Sequence, residues 1–171
     1  MKSSVCVVTT LAALLAGCAT SPETLSCLQP NRRVAVEVAG SKVKPPPPPK
    51  PDAPAGKPTT ENITLAAMAQ GDFAWDYGSA VLKPSAREEL DGMVKSVQQG
   101  VGKDTRPTAL GSVIIIGHTD RTEARSKPNL DEERAKVVRD YLVSKGFDAK
   151  VIFWEGRDAK DPVPVTKFCD S

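Results

Sequence analysis

The chain has 171 residues, of which 40% are hydrophobic, 26% are charged and only 5% are aromatic. This size and composition fit one modest globular domain and leave little room for a second core. The formal net charge of +2 provides neither the basic surface of a nucleic-acid-binding protein nor an acidic tail. No apolar run reaches the roughly 18 residues of a membrane-spanning helix, which excludes a polytopic membrane protein.

The N-terminus has the organisation of a secretory signal peptide. Lys2 supplies a positive charge, residues 5–15 form a short apolar stretch, and small residues follow it. The stretch ends in Leu15-Ala16-Gly17-Cys18, which resembles the bacterial lipobox. In a lipobox the cysteine is acylated and becomes the mature N-terminus. An ordinary signal peptide with an incidental cysteine is the alternative interpretation.

The lipobox resemblance implies a division of this segment and a cellular location. Residues 1–17 would be the lipoprotein signal peptide, Cys18 the lipidation site carrying palmitate, and residues 18–26 a lipid-anchored tether. Two or three acyl chains anchor a protein stably. The non-acidic Ala19 after the cysteine implies the outer membrane, with the protein facing the periplasm.

Cysteine counting predicts one disulfide. Cys6 leaves with the signal peptide and Cys18 is consumed by acylation, so Cys27 and Cys169 remain in an oxidising compartment. These two cysteines allow a single intramolecular pairing, which would bring the two ends of the mature chain together. The alternative is that each is unpaired or bonds to another chain.

Strands and helices alternate along the mature chain, which predicts an α/β (α+β) two-layer sandwich. The predicted elements in chain order are a strand over 33–39 ended by Gly40 and Ser41, a polyproline II linker over 44–58, an ordered segment from residue 63 whose strand ends near Asp76, a helix from Pro84, a continuously buried strand over 113–116, a helix from the Asp131 region to Gly146, and a strand over 151–154. The first helix is predicted to bury the residues that recur at helical spacing, Ala86, Leu90, Met93, Val94 and Val97.

The candidate site lies at the end of the buried strand. Asp120 follows that strand, and Arg134 lies in the first turns of the next helix, 14 residues later. A carboxylate beside a guanidinium can receive a zwitterion, since the acid accepts from the ammonium and the arginine binds the carboxylate bidentately. Asp76 and Tyr77, placed at the end of an earlier strand, can line the same cleft. The alternative is an Asp120–Arg134 salt bridge that only holds the loop.

Enzymatic chemistry is not indicated. His118 is the only histidine, so neither a histidine metal site nor a catalytic triad can form, and no cofactor or metal is expected. A periplasmic hydrolase of the nucleophile-elbow type would need a G-x-S-x-G motif, and none occurs. We predict that His118 is a strand-end residue satisfied by a hydrogen bond.

Residues 63–171 resemble the C-terminal peptidoglycan-binding domain of OmpA-like proteins, which the Pal lipoproteins share. The matching pieces are Phe73-Ala74-Trp75-Asp76-Tyr77-Gly78-Ser79-Ala80-Val81-Leu82-Lys83-Pro84, Gly117-His118-Thr119-Asp120, Arg134-Ala135-Lys136-Val137-Val138-Arg139-Asp140-Tyr141-Leu142 and residues 151–161. The resemblance implies a mixed four-stranded sheet packed on two main helices. It also implies that Asp120 and Arg134 hold the diaminopimelate of the stem peptide, with Asp76, Tyr77 and Thr119 as supporting contacts.

The loop between Asp120 and Arg134 departs from the family pattern. Glu123 stands where the family usually has a glycine, and Lys127 and Asp131 stand in place of an asparagine and a serine. The loop over 121–131 is also one residue shorter than usual.

The order of the segments departs as well. The family's last strand reads roughly Cys-Leu-x-Pro-x-Arg-Arg-Val-x-Val; here that pattern starts at Cys27 and the chain stops two residues after Cys169. The resemblance therefore implies a circular permutation, with the last strand at 27–40, a proline-rich linker at 41–62 and the remainder at 63–171. A Cys27–Cys169 bond would span the cut. The alternatives are an unpermuted domain with a stray N-terminal strand and a strand-swapped dimer.

The expected function is that of an outer-membrane lipoprotein that binds peptidoglycan non-covalently and links the outer membrane to the cell wall. The expected partners are the stem peptide and membrane lipid, the latter through acylated Cys18, with other envelope proteins in addition. Nucleic acid is not expected. The alternative is a scaffold or assembly lipoprotein of an envelope complex, with a degenerate peptidoglycan site.

Overall fold

The computed structural model describes residues 22–44 and 59–164. The predictions for the signal peptide, Cys18, Cys169 and the proline-rich segment 45–58 lie outside the described residues. The described elements are α1 (Pro22–Leu28), a 3-10 turn (Gln29–Asn31), β1 (Arg33–Lys44), β2 (Thr59–Gln70), α2 (Gly71–Ala74), α3 (Pro84–Gln99), β3 (Ala109–His118), α4 (Arg121–Ser126), α5 (Leu130–Ser144), a second 3-10 turn (Ala149–Val151) and β4 (Ile152–Gly156).

The four strands form one mixed sheet in the order β2-β1-β3-β4. β1 is antiparallel to both of its neighbours, whereas β3 and β4 are parallel and are joined by a crossover through α5. The predicted α/β class and the four-stranded sheet are confirmed. The strand nearest the N-terminus therefore lies inside the sheet, hydrogen-bonded on both edges.

The core lies between one face of the sheet and the helices α3 and α5. Val34, Val36 and Val38 alternate along β1 with almost no exposure, as expected for a strand with one buried face. The five α3 residues predicted to be buried are all in the core. This helix starts at Pro84 and stops at Gly100, whose φ of 81° favours glycine.

The predicted end of the first strand at Gly40 and Ser41 is wrong. β1 continues to Lys44, with an irregular pairing to β3 between Ala39 and Gly40. A Cβ at Gly40 would lie 2.7 Å from the carbonyl oxygen of Ala109, so glycine here permits a close approach of two strands instead of a turn. β2 begins at Thr59, which pairs with Lys44. Residues 45–58 therefore connect adjacent strand ends.

The prediction of a continuously buried strand over 113–116 is wrong in one respect. Val113 and Ile115 are fully buried, but Ile114 is 43% exposed. Successive side chains of a strand point to opposite faces of the sheet, and α3 and α5 pack on the face that holds Val113 and Ile115. The apolar run signals a strand correctly but does not show how many faces are covered.

Two short helices lie where the sequence predicted other structure. Asp76 and Tyr77 follow α2 instead of ending a strand, because β2 stops at Gln70. The loop predicted over 121–131 contains α4. Both helices lie next to the predicted site. Within residues 22–44 and 59–164, no helix has the length and apolar character needed to cross a membrane.

Candidate functional site

Asp120 lies between the end of β3 and the start of α4, and its buried carboxylate is at the N-terminus of α4. Asp120 is completely buried, and its Oδ1 accepts hydrogen bonds from the backbone N–H groups of Thr122 (2.8 Å) and Glu123 (2.9 Å) and from the Thr122 hydroxyl (2.5 Å). An aspartate in this position satisfies helix N–H groups that have no intrahelical partner and complements the helix dipole. Asp120 thus has a structural role as the cap of α4.

Arg134 and Glu123 form a bidentate ion pair inside the protein. Both side chains are 0% exposed, and Nη1 and Nη2 of Arg134 each lie 2.8 Å from one carboxylate oxygen of Glu123. Arg134 Nε donates to the carbonyl of Ser79 (3.0 Å), and its guanidinium carbon lies 5.4 Å from the centroid of the Trp75 ring. The paired geometry is that of a strong charge-assisted contact.

Two backbone N–H groups complete the surroundings of the Glu123 carboxylate. Gly78 donates to Oε1 at 2.7 Å, and Asp120 donates to Oε2 at 3.4 Å, which closes a reciprocal capping box. The alternative Asp120–Arg134 salt bridge is therefore not formed in the described chain. Arg134 has Glu123 as its counter-ion instead.

The ion-pair partner of Asp120 comes from the segment preceding β1. Arg32 is 1% exposed; its Nη1 lies 3.4 Å from Asp120 Oδ2 and 3.3 Å from the carbonyl of Leu25, and its Nη2 pairs with Asp72. The guanidinium carbon also lies 5.9 Å from the centroid of the Tyr77 ring. Sequence reasoning did not assign Arg32 to the site, because nothing in local spacing relates it to Asp120.

The remaining predicted residues line the same region. Asp76 and Tyr77 are exposed: the Asp76 side chain is 76% accessible and pairs with Lys83 at 2.9 Å. Thr119 is 1% exposed, and its Oγ1 has no hydrogen-bond partner within residues 22–44 and 59–164. The structure thus brings all five predicted binding residues to one end of the sheet, but it buries Asp120 and Arg134 beneath the rim that Asp76 and Tyr77 form.

His118 differs from its prediction. It is 5% exposed at the end of β3, and its Nδ1 has no hydrogen-bond partner among the described residues, so the predicted hydrogen bond is not formed at this atom. Burial lowers the pKa of His118, and the neighbouring Arg33 lowers it further. The imidazole is therefore neutral near pH 7. In the part of the chain that the structure describes, no cluster of three metal-ligating side chains occurs.

These features define an α/β domain with a buried acid–arginine cluster at one end of a mixed sheet. Residues 74–168, more than half of the chain, match the model of the OmpA family. The chain belongs to the OmpA family.

Sequence relatives agree with this assignment. The chain is 35% identical over 120 residues to Outer membrane protein A of Klebsiella aerogenes, covering 70% of this chain and 32% of that protein. It is 33% identical over 120 residues to Outer membrane protein A of Citrobacter freundii, covering 70% and 46%. The chain thus spans between 32% and 46% of the length of these two relatives. A solved structure, the OmpA-like domain of FopA1 from Francisella tularensis, aligns with a TM-score of 0.42 and 20% identity, covering 57% of this chain and 61% of that one.

Proposed function

We propose that this protein binds peptidoglycan non-covalently through the diaminopimelate of the stem peptide and, as a lipoprotein acylated at Cys18, links the outer membrane to the cell wall. Membership of the OmpA family supports a role at the cell envelope. The observation that carries the proposal is the convergence of Asp76, Tyr77, Thr119, Asp120 and Arg134 at one end of the sheet, although they come from three separate segments of the chain.

The chemistry of the ligand matches these groups. The free end of diaminopimelate carries an ammonium beside a carboxylate. Asp120 would accept from the ammonium, and Arg134 would donate to the ligand carboxylate in place of Glu123, which it binds in the structure. The unpaired Oγ1 of Thr119 is a further hydrogen-bonding atom next to Asp120. Asp76 and Tyr77 are exposed and would meet the ligand first.

A second candidate is a scaffold lipoprotein of an envelope complex in which the site no longer binds murein. The buried Arg134–Glu123 pair favours this candidate, because the guanidinium already has a carboxylate. Binding to murein separates the two functions. We propose no enzymatic role.

The test is co-sedimentation of the detergent-solubilised mature protein with insoluble murein sacculi. The wild type should sediment with murein. Asp76→Ala and Tyr77→Ala should weaken binding several-fold without unfolding, since both residues are exposed. Glu88→Ala, an exposed change on α3, is the matched control and should bind like the wild type. A wild type that stays in the supernatant would reject murein binding and favour the scaffold.

We further propose that the domain is circularly permuted. β1 is the inner strand next to β2 and β3, yet it lies outside the family match at 74–168. The start of β1 and the turn before it contact the end of the described chain: Asn31 Oδ1 accepts from the N–H of Val163 at 2.6 Å, and Arg33 donates to the carbonyl of Asp161 at 2.7 Å. These contacts support an N-terminal strand that completes the family sheet.

A further inference from the structure

We infer that the Glu123 side chain occupies the carboxylate position of the proposed site and acts as an internal competitor of any ligand carboxylate. The inference rests on the proposed function for the identity of the ligand. Its physical basis is the set of hydrogen-bond donors around the Glu123 carboxylate.

Four N–H donors converge on the two oxygens of this carboxylate. Two come from the Arg134 guanidinium at 2.8 Å, one from the backbone of Gly78 at 2.7 Å and one from the backbone of Asp120 at 3.4 Å. They come from the loop after α2, the end of β3 and helix α5, which meet only in the folded protein. A planar guanidinium with two backbone N–H groups is complementary to a single carboxylate. We call this set the carboxylate cradle.

The cradle has no free capacity while Glu123 is in place. Each oxygen of Glu123 already accepts two hydrogen bonds, and both charged side chains are 0% exposed. A second carboxylate there would be a buried, unpaired anion, which is strongly unfavourable. A ligand carboxylate can therefore bind Arg134 only after Glu123 leaves. The apparent affinity is then reduced by the fraction of molecules in which Glu123 is displaced.

The cradle lies just beneath an exposed loop, which makes it reachable once Glu123 leaves. Ser79 accepts from Arg134 Nε and Gly78 donates to Glu123, so residues 76–79 cover the Arg134–Glu123 ion pair. Within this covering loop Tyr77 is 41% exposed and the Asp76 side chain is 76% exposed. Glu123 itself is carried by α4, a helix of only six residues. Removing the Glu123 side chain would therefore free the donors of the carboxylate cradle for a ligand carboxylate, directly beneath residues 76–79.

The experiment is chemical rescue of Glu123→Ala in the mature protein, with Glu133→Ala, an exposed glutamate on α5, as the matched control. Thermal unfolding is recorded in sodium chloride, in sodium acetate of the same ionic strength, and with free diaminopimelate. Glu123→Ala should lose about 10 °C in chloride because Arg134 loses its counter-ion. Acetate and diaminopimelate should restore several degrees to Glu123→Ala, whereas the wild type and Glu133→Ala should not respond to acetate and should gain less from diaminopimelate.

Either of two results would overturn the inference. One is that Glu123→Ala does not respond to either carboxylate, including the case in which it is unfolded in chloride and stays unfolded in acetate and diaminopimelate. The other is that the wild type gains as much as Glu123→Ala, since the cradle would then not be occupied by Glu123.

Murein co-sedimentation distinguishes this inference from the proposed function. Glu123→Ala should bind murein at least fivefold more tightly than the wild type if both hold. Rescue by acetate without any murein binding would retain the occupied cradle and reject the peptidoglycan function. Murein binding by the wild type without rescue of Glu123→Ala would retain the function and reject the internal competitor.

Discussion

Arg32 and Asp120 are 88 positions apart in the chain and form a buried ion pair, with Arg32 Nη1 3.4 Å from Asp120 Oδ2. Their side chains are 2% and 0% exposed. This contact joins the segment before the central strand β1 to the cap of α4. The N-terminal strand therefore contributes to the site as well as to the sheet.

Removing Arg32 should destabilise the whole domain. Arg32→Ala leaves the Asp120 carboxylate buried without its cation, and breaking a buried pair from one side costs about 3–5 kcal/mol. Urea unfolding at pH 7 measures this loss. Arg125→Ala, which removes an exposed arginine from α4, is the control and should change the free energy of unfolding by less than about 0.5 kcal/mol. Equal effects of the two changes would contradict a structural role for Arg32.

The pairing of Cys27 can be read directly from a peptide map. Cys27 lies in α1, and its proposed partner Cys169 lies outside the described residues. We expect non-reducing digestion of the secreted protein to yield one peptide pair that joins Cys27 to Cys169. Reduction should then lower the free energy of unfolding by about 2–5 kcal/mol. A Cys27→Ser variant should be insensitive to reductant. Recovery of Cys27 in a bond to another chain would reject the intramolecular link.

Neighbouring isoleucines on β3 provide a test of the one-sided sheet. Ile115 is fully buried, whereas Ile114 is 43% exposed on the opposite face. Ile115→Ala should cost about 2–5 kcal/mol through lost burial and a residual cavity, and Ile114→Ala should cost under about 1 kcal/mol. The two changes remove the same atoms at adjacent positions, so each is the other's control. Similar losses from urea unfolding would indicate that the second face is also covered.

His118 should make the protein less stable in mild acid. Its pKa is lowered from the ordinary value of 6.5, mainly by burial and further by Arg33 and Arg157, against the opposing effects of Asp161 and Asp131. The unfolded chain therefore binds a proton at a pH where the folded chain does not. Stability contributed by His118 is present above about pH 6.5 and is lost as the pH falls towards the lowered folded value.

The measurement is urea unfolding of the wild type and His118→Gln at pH 7.5 and pH 5.5. The wild type should lose more stability between the two values than the variant, by at most about 1.4 kcal/mol per pH unit for one titrating group. Parallel losses in both proteins would show that other groups carry the pH dependence.

Local patterns predicted the elements that depend on local chemistry. The period of the apolar residues identified the buried face of α3, and Pro84 marked its start. The valines of β1 and the apolar run of β3 were recognised as strands. Gly40 was misread as a strand end, because a glycine that allows two backbones to approach looks the same in sequence as one that makes a turn.

The site was predicted in location but not in pairing. A carboxylate after a strand and an arginine on the following helix were enough to place Asp120 and Arg134 together. The amino-acid sequence by itself thus determined the fold class, the buried face of α3 and the end of the sheet where charged residues gather, since these follow from periodicity and residue type. Only the tertiary structure decided that Glu123 neutralises Arg134 and that Arg32 neutralises Asp120. Several charged side chains compete for each partner, and three-dimensional distance and shared burial, which chain spacing does not encode, select among them.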